Sequence, residues 1–272
     1  FVGPAVAAPA PAPELTARAD RSQVCMLGSL APLLCIVSPA AGRITPAQMA
    51  MSKDAGKMTY LEMPRSRGEP TQLCAAYGGV KLEVELIGDE EWAKRKGKIA
   101  PFMPYITNPD GTIMLETTVI MKHLATVGGK FVIDAKTEEL CEVANGAPCQ
   151  WVDPIFNLDD EHNWCGALRP GEPKYDKWVI DMVAVLKDWV AKLGAGPFFA
   201  GETPGYGECY VWHILDNLFA IDKPAFTEAI GAEAMAKLTA FYETFAALDG
   251  VKEYLARRKK VWGLPGSRAQ PA

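Results

Sequence analysis

The chain has 272 residues, 49% of them apolar and 22% charged, with a net charge of −5 at neutral pH. That length can hold one large or two modest domains around ample core, and the balance is that of an ordinary globular protein. The acidic excess argues against a nucleic-acid surface. The one dense basic run, Lys94-Arg95-Lys96-Gly97-Lys98, reads as a solvated helix face or as a local positive field for a small anion.

Residues 1–50 differ from everything after them. Phe1–Pro13 is an Ala/Pro tract of low complexity, and Arg18, Arg21 and Arg43 outnumber the few acids. From Val24 to Ala41 the chain is uncharged but broken by Gly28, Pro32 and Pro39. That run is close to the minimum for a membrane span and somewhat long for a signal-peptide apolar region. Two readings follow: a presequence removed before function, or a retained anchor that makes the protein a membrane-associated subunit. Met51-Ser52-Lys53 reads as the start of the folded part.

Met58, Tyr60 and Leu61 suit a buried strand, which Pro64 stops. Arg67-Gly68-Glu69-Pro70 opens a helix, since first-turn N–H groups have no intrahelical partner for a proline to remove. Leu73, Cys74 and Tyr77 recur at helical spacing until Gly78-Gly79. Leu82, Val84 and Leu86 alternate with Glu83 and Glu85, the period of a strand. A polar stretch holding Trp92 reads as an irregular linker. Asn108-Pro109-Asp110-Gly111 is then a tight turn between strands Pro104–Thr107 and Thr112–Leu115, and a helix covers Glu116–Thr126. From about Lys136 onward the pattern is helical only. Trp178, Met182, Val185, Leu186, Trp189 and Leu193 form one core stripe, and Tyr206, Tyr210, Val211, Ile214 and Leu215 continue it.

Seven cysteines, at 25, 35, 74, 141, 149, 165 and 209, are an odd number with no CxxC pair, and they read as reduced thiols. Cys74 and Cys209 lie within apolar patterns as inert core. His162 and Cys165 are three apart but lack a second ligand pair, so no metal site is expected.

The order βαβ, linker, ββα, with a proline opening the third strand, resembles a thioredoxin-type domain. Met-Thr-Tyr-Leu at 58–61, Arg-Gly-Glu-Pro at 67–70, Trp92, Met103-Pro104 and Glu116-Thr117 resemble the glutathione transferase family, in its tyrosine-type sigma, mu and alpha branches. Pro197-Phe198-Phe199-Ala200-Gly201 and the tail from Phe241 to Lys259 extend the resemblance over roughly Met51 to the end. It implies a thioredoxin-like glutathione-binding domain over 51–130, an all-helical domain over 136–263, and a tail at 264–272. A chain beginning Phe-Val-Gly-Pro also resembles the start of plastid transit peptides in algae with complex plastids. The expected location is therefore the plastid, with the cytoplasm as the alternative.

The resemblance also implies residue roles. Tyr60 is the hydroxyl donor to the glutathione thiolate. Ser66 is the rival donor, because serine-type members place theirs just before the helix. Arg67, one residue further from Tyr60 than usual, tunes the thiolate or anchors the fold through Glu69. A cis Met103-Pro104 bond presents the Met103 main chain to the cysteinyl part of glutathione. Glu116 and Thr117, at a helix start, take the γ-glutamyl group, and Trp92 with Lys96 takes the glycyl carboxylate. No cysteine lies between Tyr60 and Pro70, which counts against thiol–disulfide exchange.

Three departures from the family pattern stand out. The loop 101–104 is two residues short. Gly205-Tyr206-Gly207-Glu208 replaces a Ser/Thr-x-x-Asp cap, at an expected loss of a few tenths of a kcal/mol. Gly146, Pro148 and Pro154 interrupt a helix over Glu138–Phe156 that usually lines the second-substrate pocket and the dimer surface. The expected function is a glutathione transferase, working as a homodimer, that adds glutathione to an apolar electrophile in detoxification. The alternative is a non-catalytic binding or structural subunit on the same fold, attached to a membrane complex through residues 24–41.

Overall fold

Among the described residues every strand comes from the first half of the chain, and together they make a sheet of order β2-β1-β3-β4. The strands are β1 (Asp54–Leu61), β2 (Lys81–Ile87), β3 (Tyr105–Thr107) and β4 (Ile113–Met114). β1 runs parallel to β2 and antiparallel to β3, which is antiparallel to β4. The crossover from β1 to β2 is α1 (Gly68–Gly78), and β4 leads into α3 (Thr117–Gly128). The computed structural model describes residues 53–61, 67–147 and 171–258, all within one compact unit. The expectations for the leader, for Glu62–Ser66, for His162 and Cys165 and for the tail after 258 lie outside these residues.

Period-two patterning places Met58 and Tyr60 on the face that meets α1. A Cβ on Gly68 would sit 3.1 Å from the Tyr60 ring and 3.5 Å from the Met58 methyl. α1 and α3 cover the same face and touch at their ends. A Cβ on Gly128 would lie 2.7 Å from the Gly78 Cα, so only glycine lets the two backbones approach so closely. The buried Cys74 thiol donates to the Met121 carbonyl at 3.2 Å and ties the pair together.

The opposite face is polar. Thr59 donates to Glu85 at 2.9 Å, and Arg95 reaches the same carboxylate at 2.7 Å. Val84 and Leu86 are 37% and 39% exposed on β2, which is the sheet edge.

The stretch holding Trp92, expected as an irregular linker, is a helix, α2 (Asp89–Arg95). Its cause is charge and not apolar periodicity. Asp89, Glu90 and Glu91 fill the first turn and Lys94 and Arg95 the last, each favourable against the helix dipole. Glu91 and Arg95 pair at 2.8 Å one turn apart.

The regular elements described in the second half are helices: α4 (Ala135–Gly146), α5 (Pro173–Lys192), α6 (Glu208–Ile230), α7 (Ala232–Ala246) and α8 (Val251–Arg257). Among the described residues no helix is long and apolar enough to cross a membrane. The α5 stripe is core as expected: Trp178, Met182, Leu186 and Trp189 are buried and Val185 and Leu193 partly so. Each such side chain contributes about 1.5–3 kcal/mol through removal from water. α4 ends at Gly146, and the remainder of the expected Glu138–Phe156 interruption lies outside the described residues.

Two features of α6 differ from expectation. Gly205 and Gly207 are not merely a missing hydroxyl cap, because α4 passes directly over them. A Cβ on Gly205 would meet the Thr137 methyl at 2.2 Å, and one on Gly207 would meet the Thr137 carbonyl at 2.5 Å. The carboxylate half of the cap survives, since Glu208 accepts from the Gly205 and Ala200 N–H groups at 2.9 and 3.0 Å. Burial pushes the Glu208 carboxyl up to about 7 despite these donors.

α6 is also broken at Asp222, with φ −160° and ψ 63°, two residues before Pro224. Asp222 caps the restarted helix by accepting from the Ala225 N–H at 3.2 Å, and it accepts the Tyr175 hydroxyl at 2.9 Å.

Candidate functional site

The β ladders decide what meets what. β1 and β3 pair Met58 with Ile106 and Thr59 with Tyr105, so the same register continued by one step sets Tyr60 opposite Pro104. β3 and β4 pair Thr107 with Ile113 and Ile106 with Met114. Leu115 and Glu116 then lead from β4 into α3 at Thr117, so β4 leaves the sheet at the end where β3 begins. Tyr60, Met103, Pro104, Glu116 and Thr117 therefore gather at one end of the sheet, although they are up to 57 positions apart in sequence.

Each member has a distinct setting. The Met103–Pro104 bond is cis, as expected. The ladder stops at Tyr105, and no main-chain hydrogen bond among the described residues uses the N–H or C=O of Met103. Glu116 is the residue before α3 and has φ 67°, the only positive φ of a non-glycine among the described residues. A left-handed backbone at a charged side chain is rare and costs of order 1–3 kcal/mol. Glu116 is exposed, and Thr117 is buried at the first position of α3.

α3 carries no side-chain cap, so its first N–H groups and the positive end of its dipole face the same place. α1 likewise starts there, with Arg67 as its half-buried N-cap and no side-chain cap bond. Tyr60 is 7% exposed, its ring laid along the first turn of α1.

Trp92 and Lys96 sit one turn apart at the end of α2, where the Lys96 N–H donates to the Trp92 carbonyl at 2.8 Å. Trp92 is half-buried and Lys96 exposed, and among the described residues neither side chain has a hydrogen bond or ion pair with the strand-end cluster. Arg95, between them in sequence, links α2 to the sheet. The hydrogen bonds that its guanidinium donates to Glu85 and Glu91, with a further one to the Tyr105 side chain, hold it more firmly protonated than usual. Ser66 lies outside the described residues. Among those described, no group of His, Cys, Asp or Glu side chains could hold a metal ion. An open hollow of about 680 Å³ at Lys223, Pro224, Thr227 and Gly231 lies at the α6–α7 turn and not at the strand ends.

One cluster next to the site was not anticipated. Glu69, second residue of α1 and 3% exposed, is bound by residues 144 to 189 positions away and not by Arg67. Its Oε2 lies 2.8 Å from His213 Nδ1, and its Oε1 accepts from Arg258 Nη1 at 2.6 Å and from the Tyr254 hydroxyl at 3.4 Å. Arg258 Nη1 is also 3.0 Å from Asp216 Oδ2, and Tyr242 donates to Asp216 Oδ1 at 2.7 Å. His213 Nε2 meets the Asn217 amide at 3.2 Å. Burial alone would raise the Glu69 carboxyl, but His213 and Arg258 bring it down to about 2. The legible signal was on α6, where His213, Asp216 and Asn217 interrupt an apolar helix at helical spacing. Their partners on α1 and after α8 carry no such mark.

Residues 172–258 match the family described as Glutathione S-transferase, C-terminal domain. The chain has a glutathione transferase fold and carries that family's C-terminal domain. A rat hPGDS structure complexed with a quinoline superposes with TM-score 0.57 at 16% identity, covering 76% of this chain and 98% of the other. The Onchocerca volvulus Pi-class glutathione S-transferase gives TM-score 0.58 at 16% identity over 74% and 92% of the two chains. A glutathione transferase homologue from Sulfitobacter with bound glutathione gives 0.53 at 13% identity over 74% and 97%. At such identities these likenesses speak to the fold. No curated protein sequence matches the chain. A glutathione transferase-type function is the coarse assignment that the fold and the C-terminal domain support.

Proposed function

We propose that this protein binds glutathione at the strand ends and uses the Tyr60 hydroxyl to hold its sulfur as a thiolate, which then adds to an apolar electrophile. The observation that carries the reading is the convergence of a Met103 main chain with no main-chain hydrogen bond among the described residues, the α3 N-terminus without a side-chain cap and the Tyr60 ring at one end of the sheet. The cysteinyl backbone pairs with Met103 as an added strand. The γ-glutamyl carboxylate takes the α3 N-terminus and the Thr117 hydroxyl, and its ammonium takes Glu116. Trp92 and Lys96 receive the glycyl carboxylate.

An ordinary cysteine thiol has a pKa of about 8.5, and each unit of depression needs about 1.4 kcal/mol of preference for the thiolate. A hydroxyl donor in a partly dry cleft beside two helix N-termini supplies about two units. The thiol proton passes to solvent, the C–S bond forms, and the electrophile's leaving group departs with the bonding pair.

Calorimetric titration of the full chain with glutathione and S-methylglutathione, with thiolate absorbance followed against pH, tests this. Both ligands should bind, and the bound thiol should titrate about two units below its free value. In Tyr60→Phe it should return toward the free value, with kcat/KM on an aryl halide falling about a hundredfold. Absence of binding would overturn the reading. Binding without turnover in either form would make the protein a non-catalytic module, and turnover untouched by Tyr60→Phe would move the donor role to Ser66. We read the leader as a plastid address. An intact mass of the native protein starting near Met51 would agree with its removal, and a mass that includes residues 24–41 would favour the tethered alternative.

A further inference from the structure

The buried cluster around Glu69 sits directly behind the proposed thiol site. Glu69 follows Gly68, whose Cα carries the Tyr60 ring against it, with only 3.1 Å from the ring to the place a Cβ would occupy. The first turn of α1 cannot shift without moving that ring or opening a gap beneath it. Within α1 the support for this turn is slight: its N-cap makes no side-chain hydrogen bond, and the Gln72 amide reaches the Gly68 carbonyl at 3.4 Å. The fixing comes instead from the helical half, through His213 on α6 and through Tyr254 and Arg258 at the end of α8. Arg258 is itself held by Asp216 and lies 5.5 Å over the Trp212 ring, which stacks on Tyr242.

We propose that Glu69 and Arg258 are positioning residues for Tyr60: the charged pair locks the start of α1 from the helical half and so sets the aim of the phenol. This deepens the proposed function and rests on it only for the thiol readout. A buried carboxylate held by a guanidinium has one well-defined place, since leaving either charge unpaired in the interior is strongly unfavourable. An apolar contact of equal area would restrain α1 without fixing its rotation about its own axis.

The test is Arg258→Met in the full chain, with two readouts. In ligand-free protein, the Tyr60 ring resonances, assigned by their loss in Tyr60→Phe, should shift, because the first turn of α1 relaxes. In the complex, the pKa of the bound glutathione thiol should rise by about half a unit or more, a threefold or greater loss of thiolate at fixed pH. S-methylglutathione, which has no thiol to ionise, should bind within about twofold of wild type. Lower thermal stability with unmoved Tyr60 resonances and an unmoved thiol pKa would reduce the pair to a structural tie and overturn the proposal.

The ring readout needs no ligand, so it decides the positioning role even if wild type fails to bind glutathione. Should Arg258→Met not fold, Arg258→Lys keeps the charge but loses the planar guanidinium that lies 5.5 Å over the Trp212 ring, so the cation is less firmly placed. It should give the same shifts at smaller size, and unmoved resonances there count equally against the proposal.

Discussion

At the residue scale, Glu116 and Thr117 offer the most direct test of which ligand end goes where. Glu116 holds a left-handed backbone with an exposed carboxylate, and Thr117 puts a hydroxyl at an uncapped helix start. Thr117→Val keeps the shape and removes the hydroxyl, so glutathione affinity should fall about tenfold by calorimetry, the worth of one charge-assisted hydrogen bond. Glu116→Gln should weaken glutathione similarly but leave a des-amino analogue unaffected, since only the ammonium calls for the charge. Both roles were readable as residue types after a strand. Neither the positive φ of Glu116 nor its place at the same end of the sheet as Pro104 was readable, because both depend on tertiary pairing that sequence periodicity does not specify.

At the scale of elements, legibility followed the strength of apolar patterning. β1, α1, β2, α3 and the α5 stripe all carry a clear period and occur where expected. α2 was missed because its helix rests on end charges and one Glu91–Arg95 pair, with no buried residue to give a stripe. The break at Asp222 was legible in Asp222-Lys223-Pro224, an N-cap followed by a first-turn proline, but the apolar run on either side masked it.

Gly207 shows a different limit. Its φ of −61° is available to any residue, so the need for glycine comes wholly from α4 passing over it. Gly207→Ala should therefore destabilise the fold by roughly 1–3 kcal/mol through overpacking. The urea midpoint should fall with an unchanged slope, well beyond the few tenths expected of a lost cap.

At the scale of the whole molecule, two buried carboxylates set opposite pH limits. Glu69 has a folded value of about 2, below its ordinary 4.5, so its contribution is present above about 4.5 and is lost as pH falls toward 2. Glu208 has a folded value of about 7, above the same 4.5, so the folded state binds the extra proton. Stability linked to Glu208 is full below about 4.5 and declines as pH rises toward 7, by an amount of the order of 3 kcal/mol. Thermal unfolding should thus be highest near about pH 5 and fall toward about pH 8. Glu208→Gln should flatten the alkaline limb and leave the acid limb in place. An unchanged alkaline limb in that variant would mean that Glu208 is ionised without penalty.

The contact between Gly78 and Gly128 joins α1 and α3 where both helices finish, whereas both begin at the proposed ligand site. The pair is thus built like scissors whose rivet, the glycine contact, lies at the end away from that site, with the Cys74–Met121 hydrogen bond as a second tie midway. α1 spans about 15 Å from rivet to tip, so a 5° change in crossing angle moves the tips by about 1 Å. Arg258, gripping α1 one residue from its tip, holds one blade steady.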